Sequence, residues 1–103
     1  MFICNSQLPM SREQELLTQF SQKADTIQAD YKKMIASYVS SNGARPPYEE
    51  LLDILKKMDA ELTKSGVAMV EQYQSDGVVN ISTFITAVKN KIASTIEQFV
   101  KTL

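Results

Sequence analysis

The sequence predicts an all-α protein: an up-down-up antiparallel three-helix bundle built on a long helical hairpin, with helices over about 11–41, 47–75 and 81–102. Three observations carry this. Apolar residues recur at alternating steps of three and four along three long segments. Helix-start and helix-stop residues stand at the segment ends. The connections over 42–45 and 76–80 are short, which favours antiparallel neighbours. No repeat or linker divides the 103 residues, so one domain over 11–103 is expected, preceded by a flexible tail over 1–10. Apolar residues at 44% and charged residues at 22% match a folded globular chain, with room for one modest core.

In the first segment the inward positions are expected at Leu17, Phe20, Ala24, Ile27, Tyr31, Met34 and Tyr38, a heptad-like seam of the coiled-coil kind. Ser11 with Gln14 three residues on has the form of a capping box, and Gly43 supplies the left-handed stop. The second segment opens at Pro46 and Pro47, where a missing N–H costs nothing, and Glu49 and Glu50 suit the positive end of its dipole. Its seam reads Tyr48, Leu51, Leu55, Met58 and Leu62, joined by Leu52, then slips at Gly66 to Met69 and Tyr73 before Asp76 and Gly77 end it. Because no proline or polar loop follows Gly66, a continuous helix is expected, with another backbone packed closely against the glycine.

The third segment has Asn80 as its expected N-cap and apolar residues at Ile81, Ile85, Val88, Ile92, Ile96, Phe99 and Leu103. It is rich in β-branched residues, so its order depends on packing against the other two helices. A strand over 78–88 is the competing reading, but it has no partner strand in the chain.

The chemistry-bearing residues are sparse. There is no histidine, which removes the commonest general base and metal ligand together. Cys4 has no base to activate it, and as the only cysteine it forms no internal disulfide, which points to a reducing, cytoplasmic setting. Residues 1–4 are too short an apolar run for a signal-peptide core, and no stretch has the length of a membrane span. Glu49, Glu50 and Asp53 form the densest acidic cluster, yet no second acidic helix faces them, so they read as dipole partners on a solvated surface. A calcium-loop reading around Gly77 fails because Gln72, Gln74 and Thr83 occupy the positions that need carboxylates. Tyr31, Tyr38, Tyr48 and Tyr73 sit on or beside the seams, as core tyrosines do; stacking nucleic acid on them would need a basic groove, and the net charge is −1. No catalytic, metal or cofactor residue is therefore assigned.

What remains is apolar surface. At 1.5 Å per residue the third helix spans roughly 33 Å, against roughly 46 Å and 43 Å for the first two. In an up-down-up bundle it runs out before the hairpin turn. Met34, Ile35, Tyr38 and Val39 on the first helix and Tyr48, Leu51, Leu52 and Leu55 on the second are then left without a third wall. The expected function is a non-enzymatic protein-interaction or assembly module, self-associating or binding a protein partner at this end, with Tyr38, Tyr48 and Leu52 as anchors. The alternative is a small bundle carrying an apolar ligand or lipid in a cavity lined by Met34, Met58 and Met69.

Overall fold

The computed structural model describes residues 11–77 and 81–103. Three helices follow in chain order: α1 (Arg12–Asn42), α2 (Tyr48–Ser75) and α3 (Ser82–Lys101). They make up 88% of the described residues, all three pack against one another, and no strand occurs among those residues. The all-α three-helix bundle is thus the fold. The expected tail over 1–10, with Cys4, and the cap at Asn80 lie outside the described residues.

The α1 start forms as its residues dictate: Gln14 donates its backbone N–H to Ser11 Oγ at 3.1 Å, and Ser11 returns its own N–H to Gln14 Oε1 at 3.3 Å. At the other end Gly43, at φ 70°, donates to the Val39 carbonyl at 2.8 Å, a left-handed stop that a β-carbon would strain. Pro47 caps α2 without a side-chain bond, and its carbonyl receives the Leu51 N–H at 3.0 Å. α3 starts one residue later than expected, with Ile81 as its cap residue.

The core has two joined parts. Leu16, Phe20, Phe84 and Val88 fill the end near the α1 start, with Met69, Val70 and Tyr73 against them. Ala24, Ile27, Tyr31, Met58, Leu62 and Phe99 fill the other, where Ile35, Leu55 and Leu103 close the edge. At the first end Arg12 pairs with Asp76 at 2.6 Å, clasping the α1 start to the α2 end, and the bond holds the guanidinium pKa above its ordinary value. Lys91 of α3 reaches Asp25 of α1 at 3.3 Å.

α2 runs unbroken through Gly66, as expected, but what crowds the glycine is side chain rather than backbone. A β-carbon there would stand 2.7 Å from Val88 Cγ1, 3.5 Å from Ile92 Cδ1 and 3.6 Å from Phe20 Cζ. Three seam assignments need correction. Leu16 is fully buried where Leu17 was expected, and Ile35 packs on the core where Met34 was expected, leaving Met34 48% exposed. At 3.6 residues per turn a step of three after Tyr31 drifts off the inward face, and a step of four returns to it. In α3, Phe84 and Thr95 are buried and Ile85, expected inward, is only half-buried, while Ile92 and Ile96 pack on the core as expected. The larger ring takes the deepest place, and Thr95 enters the core because its hydroxyl donates to the Lys91 carbonyl at 2.7 Å.

Candidate functional site

The hairpin end is where the third wall stops. The α3 C-terminus lies against α1 at Ile35 and Ala36, which share a shallow pocket with Phe99 and Leu103. α1 continues seven residues past Ile35, roughly 10 Å at 1.5 Å per residue, before Gly43 ends it. Over that stretch α1 and α2 face each other with no third helix among the described residues beside them.

The eight residues expected at this end divide into two sets. Ile35 and Leu55 are half-buried and packed on the core, so they form the edge of the interior. The others approach the surface: Tyr38 and Leu51 are half-buried, while Met34, Val39, Leu52 and Tyr48 are exposed, Tyr48 by 74%. Helical phase explains their directions. Tyr48 and Leu52 stand eighteen residues, five full turns, before Gly66 and Val70, and so project from the same face of α2. Gly66 and Val70 line the groove against Val88 and Ile92 of α3. Tyr48 and Leu52 therefore continue the α3-facing side of α2 past the point where α3 has ended. Val39, one turn after Ile35, does the same for α1. Met34 lies on the opposite flank of the inward face and is separate from this slot.

Burial, then the Glu50 charge, then a hydrogen bond from the phenol to Glu50 hold the Tyr38 hydroxyl pKa above its ordinary value. Pro46 is buried in the turn, although its sequence position signals only a helix start. That burial was illegible because a turn proline belongs to no periodic seam.

The acidic cluster on the same helix has a local role: Asp53 pairs with Lys57 one turn on at 3.2 Å. Among the described residues no group of three His, Cys, Asp or Glu side chains converges to hold a metal ion. Likewise, no helix among them is long and apolar enough to cross a membrane. The three methionines expected around a ligand occupy different settings. Met58 is fully buried in one core part, Met69 packs on the other, and Met34 is exposed, so they line no common cavity among the described residues. Comparison with protein-family models, curated proteins and solved structures returns no match.

Proposed function

We propose that this chain is a non-catalytic helical interaction module, and that its hairpin end receives an amphipathic helix of a partner protein laid end to end with α3. The observation carrying this reading is the exposure of Val39, Tyr48 and Leu52 on the α3-facing sides of α1 and α2, beyond the last turn of α3. The slot has a wall from α1 and a wall from α2, as the seat of α3 does lower in the bundle, and Tyr38 and Leu51 are half-buried at this end. An incoming helix with apolar residues at three- and four-residue spacing would fill it. Aromatic anchors at the centre of such a contact carry disproportionate binding energy, which favours Tyr38 and Tyr48 in that role. A lone cysteine in the sequence suits a reducing compartment such as the cytoplasm.

The test is a Tyr38→Lys, Leu52→Glu double variant whose helicity matches the parent chain. Loss of the native partner on copurification, with the parent retaining it, supports the reading. Equal recovery of the same partner by both proteins removes it.

A further inference from the structure

We infer that the groove between α2 and α3 is the surface on which a second copy of this chain docks. This goes beyond the hairpin-end reading and uses other residues. The groove holds about 340 Å³, with Gly66, Val67, Val70, Ile85, Val88 and Ile92 as its apolar lining. Gly66 lies at its floor, where Val88 and Ile92 of α3 pack directly against the glycine. Val67 stands on its wall 51% exposed. Val100 lies eleven residues, three turns, after Lys89 on the same flank of α3 and is 46% exposed, so the apolar face runs on past the groove.

Charge selects the occupant. Glu71 belongs to the α2 wall and Lys89 to the α3 wall, and neither takes part in an ion pair among the described residues. A fatty acid would meet Lys89 favourably but would bring its carboxylate towards Glu71. A second copy satisfies both walls. Rotation by half a turn about an axis along the groove lays α2 of each copy over α3 of the other. Each Glu71 then comes within about one helical turn of Lys89 of the second copy, a span the two long side chains bridge, and the contact forms twice by symmetry. The β-branched residues on the walls cover one another in the same step.

Sedimentation equilibrium of the full chain tests this. The expected mass rises with concentration from the 11.6 kDa chain towards twice that value. Glu71→Lys and Lys89→Glu should each weaken association by about tenfold or more, since each puts two like-charged pairs in contact. The double exchange, Glu71→Lys with Lys89→Glu, should restore it, whereas Leu52→Glu should leave it unchanged. A chain that stays at 11.6 kDa throughout overturns the inference, as does a dimer indifferent to both single exchanges. A dimer lost on Leu52→Glu alone also overturns it, because self-association would then belong to the hairpin end.

Discussion

Gly66 and Val88 are in contact so close that a β-carbon on the glycine would come within 2.7 Å of Val88 Cγ1. Val88 is 4% exposed and β-branched, so it has little freedom to turn away. Gly66→Ala gains up to about 1 kcal/mol of helix propensity. Overpacking a tight interior costs about 1–3 kcal/mol. The overlap wins, and the expected outcome is a melting temperature lower by several degrees with helicity unchanged. A raised melting temperature would show that Val88 yields freely.

Phe84 and Ile85 are neighbours whose importance the structure ranks differently from the sequence. Phe84 is fully buried against Leu16 and Phe20 and lies 4.7 Å, centroid to centroid, from the Tyr73 ring, whereas Ile85 is half-buried. Phe84→Ala is expected to cost about 3–5 kcal/mol and Ile85→Ala well under that. Denaturant unfolding of the two variants measures the order, and a larger loss at Ile85 would contradict the placement of α3.

That pair also marks where the sequence stops being legible. The ends of α1 could be read because Ser11, Gln14 and Gly43 act through local chemistry that periodicity does not have to supply. Phe20, Ala24, Ile27, Tyr31, Met58 and Leu62 could be read because a seam of threes and fours has only one inward face. The α3 stripe is wider, from Phe84 and Ile85 through Ile96 and Phe99, and a wide stripe leaves its centre undetermined by a turn fraction. The hairpin-end slot followed from helix lengths, yet its division into core-edge Ile35 and Leu55 and outward Val39, Tyr48 and Leu52 needs the position of α3. The groove at Val67 and Val70 was missed for a related reason. Which flank of α2 meets α3 depends on the direction in which the bundle turns, and hydrophobic spacing along one helix does not carry that direction.

Tyr31 gives a pH dependence. Its burial, the Glu61 charge and a hydrogen bond to Glu61 raise its pKa above the ordinary phenol value of about 10. A raised folded-state value means that the unfolded chain loses its proton first. The stabilisation is therefore whole below about pH 10 and is lost as pH rises through the folded-state value. Tyr31→Phe removes this ionisation and leaves Tyr38 in both proteins. The stability advantage of the parent over Tyr31→Phe should thus shrink as pH is raised above about 10 in thermal melts. An advantage that grows with alkalinity would reverse the assigned direction.

The central claim, that a partner helix occupies the slot past the end of α3, is tested most directly at Tyr48, the most exposed of the slot residues. A photo-reactive phenylalanine analogue placed at this position samples the slot without disturbing the core. On illumination of the protein in its native host, the account predicts a covalent adduct to one segment of another protein. That segment should have apolar residues at three- and four-residue spacing, and the adduct should vanish when Leu52→Glu is added. A folded protein that gives no adduct, one that links to a second copy of itself, or one whose adducts persist unchanged with Leu52→Glu would contradict it.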